Sequence, residues 1–274
     1  MSIQIPWPVY VVSLRSAVER RARCVEILGR LGISFEFFDA VEGAALSEAE
    51  IGAVYDAGRN AREYKRPLSR GEIGCSLSHY ELWKRIAAGG SGGAVILEDD
   101  FEAAEKLPEL LREICLAPLE NFMVKLFALR PVGGPQVAVL SNGYRLVMPD
   151  RVPGQTLGYT VDRAAAAALA ALVLPMSRPV DMEIKHWWRF DVPVLVVQPT
   201  ALRVNLKETG SGIEAERKKA RPGGGLGWMT RMWRNVRYQW AYNLAAMQAT
   251  GRGQRISRQF RARMIQKKRE GKMP

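Results

Sequence analysis

The chain has 274 residues, 47% of them apolar, and a formal net charge of +12. That length and composition allow a sizeable core, and the absence of any uninterrupted apolar run of ~18 residues argues against a membrane-spanning helix. The three cysteines, Cys24, Cys75 and Cys115, are odd in number and widely spaced. They read as reduced thiols rather than a disulfide framework, and with two histidines they offer no zinc spacing.

The opening MSIQIPWPVYVVSL has no basic leader segment and no small-residue cleavage site, so residues 9–14 are expected to form a first strand. Ser16 and Glu19 form a candidate capping box. Val18, Ala22, Val25, Leu28 and Leu31 then make a helical stripe ending at Gly32. Residues 33–38 are a second strand, and strand–helix–strand over this distance predicts a parallel pair. Ser47 with Glu50 and Ser69 with Glu72 are two further capping boxes, and the polar residues 56–68 between them read as a loop. The last box opens a helix carrying GEIGCSLSHYELWKRI, which Gly89, Gly90, Gly92 and Gly93 stop. Residues 94–97 form a strand that runs into Glu98-Asp99-Asp100. Residues 123–129 and 192–197 are later strands, and Asp162 caps an Ala-rich helix over 163–174 that Pro175 ends. The alternation predicts a layered α/β domain.

Ligands of open α/β sheets sit beyond the carboxyl ends of strands, which is where Glu98, Asp99 and Asp100 fall. Adjacent carboxylates repel one another, and a hard divalent cation such as Mn²⁺ or Mg²⁺ relieves that repulsion. A solvated acidic turn is the alternative reading of the tripeptide alone. The surrounding segments carry more information. VYVVSL with Glu19-Arg20-Arg21, then FFDAVEG, SRGEIGCSLSHYELWKRI and AVILEDD, resemble glycosyltransferase family 25 in order and spacing. That family includes bacterial lipooligosaccharide galactosyltransferases and the galactosyltransferase domains that modify collagen. The resemblance continues more loosely through MVKLFAL, GYTVDRAAAAAL and PVDMEI to about residue 199.

The resemblance implies a GT-A-like fold with a mainly parallel sheet, a UDP-sugar donor and an inverting transfer. It assigns the metal to Glu98 and Asp100, with Asp99 able to replace either. It places a nucleotide contact at Ser13, although Ser13-Leu14-Arg15 stands where relatives commonly read Asn-Leu-Asp. Inversion needs a base on the face opposite the leaving nucleotide. Asp181 is the candidate, with Glu183 as the fallback, and a helix N-cap is the competing role for Asp181. Arg20 and Arg21 are candidate phosphate contacts or ordinary helix-surface arginines. His79 is a candidate phosphate or sugar contact or a hydrogen-bonded core histidine. Lys125 is an unusual charge within a strand, placed either near the diphosphate or at a sheet edge. His186, beside Trp187 and Trp188, is expected to be structural or on the acceptor side.

Charge divides the chain. Residues 1–202 carry 22 Lys and Arg against 24 Asp and Glu, and residues 203–274 carry 18 against 4. A catalytic domain over 1–202 and a basic helical tail over 203–274 are therefore expected. In the tail, Met229, Met232, Trp233, Val236, Trp240, Leu244 and Met247 share one helical face, with Arg231 and Arg234 opposite and Arg237 beside it. This pattern predicts a membrane-surface anchor. A helix packed on the catalytic domain and nucleic-acid binding are the alternatives. The expected enzyme moves a hexose from UDP-galactose to a lipid-linked core oligosaccharide. It would work in the cytoplasm on the inner face of the inner membrane, with an anionic membrane as partner and no nucleic acid. A non-enzymatic basic-tailed binding protein and an inactive family member are the rival expectations.

Overall fold

The computed structural model describes residues 3–205 and 225–270, with the side chains of 225–231 outside the described set. β1 (Val9–Ser13) and β2 (Glu36–Asp39) flank α1 (Val18–Arg30) and pair in parallel, as the spacing predicts. The start of α1 differs from expectation. Its N-cap is Ala17 with no side-chain cap, so the box between Ser16 and Glu19 does not form. Cys24, Ile27 and Leu28 are buried, while Val18 and Val25 of the predicted stripe are exposed. Arg20, Arg21 and Arg23 reach acceptors at the ends of neighbouring strands, and these polar contacts fix the rotation of the helix.

The boxes at Ser47 and Ser69 both form, opening α2 (Glu48–Val54) and α4 (Arg70–Ala88). Between them, residues expected to be a loop contain α3 (Ala57–Glu63). Asp56 caps α3 by accepting from Arg59 N at 2.7 Å. Buried Asn60 donates to Ser177 O at 2.8 Å and Arg66 O at 3.0 Å. A helix docked through an amide has no apolar stripe to reveal it. The motif glycine Gly74 on α4 has a steric reason: a Cβ there would lie 2.6 Å from both Gly43 N and Val41 O.

The remaining elements are β3 (Gly93–Glu98), β4 (Phe101–Ala103), α5 (Leu107–Cys115), β5 (Met123–Lys125), β6 (Gln136–Val139), β7 (Arg145–Val147), β8 (Gly158–Asp162), α6 (Arg163–Leu172), α7 (Val180–Ile184), β9 (Val194–Gln198) and β10 (Leu202–Val204). Asp162 caps α6 as predicted, accepting from Ala165 N at 2.7 Å. An eight-stranded sheet has the order β2-β1-β3-β8-β5-β9-β7-β6, and β10 pairs with β4 beside it. The pairs β1–β2, β1–β3 and β5–β9 are parallel, and the other four are antiparallel. The sheet is therefore mixed, where a mainly parallel one was expected. β8 inserts antiparallel between β3 and β5, and β6 and β7 are joined by a turn too short for a parallel crossover. Every residue of β1, β8 and β9 is buried, so both faces of the central sheet are covered. At the outer strand β2, Glu36 pairs with Arg85, and Asp39 pairs with Arg15 and Arg21.

α8 (Gly225–Arg269) lies against this body. Tyr238, Tyr242, Ala249, Phe260 and Met264 are buried along one side, and the last three join the main core. Arg237 donates to Ala61 O at 2.8 Å, and Arg261 donates to Gln136 O on β6. The helix thus packs on the body through a face other than the predicted stripe. Met232, Trp233, Val236, Trp240, Leu244 and Met247 are exposed, while Met229 and Arg231 fall outside the described side chains. Arg234 and Arg237 reach Asn60 and Ala61 of α3. The expected boundary at 202 falls inside the β4–β10 pair. Among the described residues no helix is long and apolar enough to cross a membrane.

Candidate active site

Parallel β1 and β3 run in register from Val9 with Val95 to Val12 with Glu98, so their carboxyl ends lie side by side. This brings Ser13 onto Asp99. The Ser13 hydroxyl donates to Asp99 Oδ2 at 2.5 Å, and Arg20 donates to Oδ1 at 2.7 Å. Burial pushes the Asp99 pKa up against the pull of these two donors. Arg21 donates to Ser13 O at 2.8 Å and pairs with Asp39 at 2.5 Å. Ser13, a candidate nucleotide contact, and Arg20 and Arg21, candidate phosphate contacts or ordinary helix-surface arginines, are thus placed on the protein's own groups at the ends of β1 and β3.

Glu98 ends β3 and turns the other way. Its Oε1 accepts from Thr156 and faces His79 Nε2 at 3.4 Å. His79 is fully buried on α4, and its Nδ1 lies 2.8 Å from the Tyr159 hydroxyl, which accepts from Trp83 Nε1 at 3.0 Å. A phenol has one proton. With Trp83 donating to its oxygen, Tyr159 satisfies His79 Nδ1 by donating to it, which leaves the imidazole proton on Nε2, facing Glu98. Burial opposes charge on Glu98, but His79, Thr156 and Lys125 together hold its pKa below the usual range.

Asp100 occupies the turn after β3. Its Oδ1 is buried without a partner. Burial, followed by the charges of Glu98 and Asp99, pushes its pKa up to about 6. An uncompensated carboxylate oxygen beside a second carboxylate fits a hard divalent cation. Glu98 and Asp100 are the residues that would hold it, since Asp99 is committed to Ser13 and Arg20. The fold also brings Cys75, His79 and Glu98 together, with potential ligand atoms within 4.8 Å of one another. Within that trio His79 Nε2 lies 3.4 Å from Glu98 Oε1, close enough to orient the carboxylate.

Segment 153–157, missed in the sequence, forms the link across the site. Lys125 is fully buried at the end of β5, and its ammonium donates to the carbonyls of Pro153 at 2.7 Å, Gly154 at 2.9 Å and Gln155. Burial pushes its pKa down to about 7, while the three carbonyls favour the charged form. Gln155 adopts a positive φ of 64° and donates its N–H to Asp181 Oδ2 at 3.4 Å. Thr156, the next residue, holds Glu98. One short loop therefore connects Lys125, Asp181 and the acidic corner. The Pro153-Gly154 turn signal was its only trace in the sequence.

Asp181 lies in the first turn of α7. Glu183, on the same helix, is buried between Arg178 at 3.1 Å and Arg189 at 2.6 Å, with Arg59 at 3.9 Å. His186 lies with Nδ1 2.7 Å from Met182 O, and burial and the charge of Arg178 push its pKa down to about 3 against the pull of that contact. Its ring packs among Trp188, Tyr238 and Tyr242. Beside it, a groove between α8 and segment 148–152 is lined by Met148, Asp150, Trp187, Trp188 and Tyr242.

Residues 7–131 match the family model described as glycosyltransferase family 25 (LPS biosynthesis protein). Over this segment the chain is similar to glycosyltransferase family 25. It is 34% identical over 182 residues to procollagen galactosyltransferase 1-B of Xenopus laevis, covering 63% of this chain and 30% of that protein. It is 28% identical over 212 residues to the probable inactive glycosyltransferase 25 family member 3 of Rattus norvegicus, covering 70% and 37%. A glycosyltransferase 25 family member of Aedes aegypti is 38% identical over 96 residues, 34% of this chain and 16% of that protein. The chain thus spans about a third or less of the curated relatives it matches. The family-model match takes in the acidic corner and α4, and it ends before segment 153–157, Asp181 and α8.

Proposed function

We propose that this chain acts as a family 25 glycosyltransferase and transfers a hexose, galactose from UDP-galactose, to a saccharide hydroxyl of a lipopolysaccharide or lipooligosaccharide core, with inversion. The observation that carries this reading is the orphaned Asp100 carboxylate beside Glu98 at the carboxyl end of β3, with Asp181 tied to the same loop as Glu98. The donor is drawn from relatives that are named as galactosyltransferases. The proposed architecture is GT-A-like, which the α/β layers and the ligand-end position of the acidic corner support.

In the proposed reaction Asp181 accepts the proton of the acceptor hydroxyl. The oxygen attacks the anomeric carbon, the bond to UDP breaks, and UDP leaves with the electron pair. Glu183 is buried and its carboxylate oxygens are already taken up by Arg178 and Arg189, so Asp181 is the carboxylate of α7 assigned to the acceptor. Mn²⁺ or Mg²⁺ held by Glu98 and Asp100 would supply Lewis-acid stabilisation of the diphosphate. His79 and Thr156 orient Glu98, and Lys125 fixes the loop that carries Thr156. Half-buried Trp188, which lines the groove between α8 and segment 148–152, is the ring proposed to meet an acceptor sugar. A lipid-linked acceptor places the work at the inner face of the inner membrane, and no nucleic acid takes part.

The test is calorimetric UDP binding with and without Mn²⁺, followed by UDP release on a panel of sugar donors and truncated core oligosaccharides. Tighter UDP binding with Mn²⁺ is expected. Asp100→Ala should remove metal-stimulated transfer, roughly 10³-fold or more. Asp181→Asn should lower kcat with donor binding retained. Undiminished turnover in EDTA overturns the metal assignment, and UDP binding without turnover on any donor identifies an inactive member.

A further inference from the structure

α8 carries two apolar stripes, and the body covers one of them. Tyr238, Tyr242, Ala249, Phe260 and Met264 are buried. On the outer side, Trp233, Val236, Trp240, Leu244 and Met247 repeat at intervals of three and four residues and face solvent. Trp233 is 67% exposed, Trp240 70% and Met247 74%. Single exposed apolar residues are ordinary, but five large ones in one line mark a contact surface. The helix cannot roll to hide them, because Arg237 and Arg252 hold it to Ala61 and Asp191 and the inner stripe is already packed.

Further along, the outer side becomes basic. Arg255, Arg258 and Arg269 are exposed at the same helical angles and make no ion pair among the described residues. Residues 225–270 hold eleven Lys and Arg against one Glu. A straight helix of this length reaches roughly 68 Å, so both halves of the outer side can meet one extended surface. We infer that the outer face of α8 lies on an anionic lipid surface. Trp233 and Trp240 sit at the headgroup boundary, and Arg255, Arg258 and Arg269 meet lipid phosphates. A second copy of the chain suits this face poorly, because pairing two such helices brings strongly basic segments together. The inference stands apart from the proposed transfer reaction, since none of these residues belongs to that site.

The experiment is sedimentation of the full chain with vesicles of phosphatidylglycerol and phosphatidylcholine, against vesicles of phosphatidylcholine alone. Binding to the anionic vesicles is expected, weakened by salt, with a blue shift of tryptophan emission. Replacing both tryptophans, Trp233→Glu with Trp240→Glu, should weaken it about tenfold or more while leaving the melting temperature unchanged, because both side chains are exposed. Arg255→Glu with Arg258→Glu should remove most of the salt-sensitive part. Unaltered vesicle binding in the tryptophan variant overturns the inference. So does a full chain that is dimeric in ultracentrifugation and becomes monomeric in that variant, which would assign the face to a second copy.

Discussion

Asp100 carries a conflict between stability and chemistry that can be measured. Its pKa of about 6 in the fold lies above its ordinary value of 3.8, so the folded state holds an extra proton between those values. Stability should fall as pH rises through that window, and the penalty is complete above pH 6. Two pKa units correspond to about 3 kcal/mol, and partial solvent access reduces this to about 1–2 kcal/mol. Asp100→Asn, which cannot ionise, should therefore stabilise the metal-free protein at pH 7.5 by that amount and leave it unchanged near pH 4. Urea unfolding in EDTA at the two pH values checks this, and a gain independent of pH would refute it. Position in the sequence put Glu98, Asp99 and Asp100 together beyond the end of a strand, because a short apolar strand followed by carboxylates has a fixed place in an α/β sheet, and it was the family resemblance that singled out Glu98 and Asp100. The support for Glu98 could not be read that way. His79 was visible as a candidate, but its hydrogen-bond chain needs Trp83 and Tyr159, which meet only when β8 inserts beside β3. Asp99 looked equivalent to its neighbours until β1 placed Ser13 against it.

Among the elements, α4 was the most legible, since its Ser69 box, its length and its glycine stop are all local features. Its glycine at 74 was explained only by the fold, where segment 41–43 crosses the helix at backbone contact. Gly74→Ala should cost about 1–3 kcal/mol by overpacking. Gly52→Ala in α2, where an added Cβ meets nothing within 4 Å, should stabilise by about 0.5–1 kcal/mol. Thermal melts of both variants test whether the motif glycine is there for close approach. Elements held by polar contacts escaped periodicity. α3 docks through Asn60, and α1 takes its rotation from three arginines. Segment 153–157 is fixed by a lysine some thirty residues earlier, a pairing no local pattern displays.

Across the whole molecule, α8 joins the end of the chain to its middle. The tail's charge and its outer stripe were plain in the sequence, yet the packed face was not, because Tyr238, Tyr242 and Ala249 are less apolar than the tryptophans they oppose. A chain ending at residue 205 would lose the burial of Tyr238, Tyr242, Phe260 and Met264, each contributing about 1.5–3 kcal/mol at full burial. Its melting temperature should fall by roughly 10 °C or more, and an unchanged value would show that the helix adds nothing to the body. The position of α8 also bears on how copies of this protein behave when crowded. An open sheet exposes two rows of unpaired backbone groups that can template growth from one molecule to the next. Here α8 lies along β6 and Arg261 occupies the Gln136 carbonyl, while at the opposite border Glu36 and Asp39 stand in ion pairs with Arg85, Arg15 and Arg21. One border is shielded by a helix and the other by charge, so strand-to-strand stacking of neighbouring molecules is obstructed at both ends of the sheet.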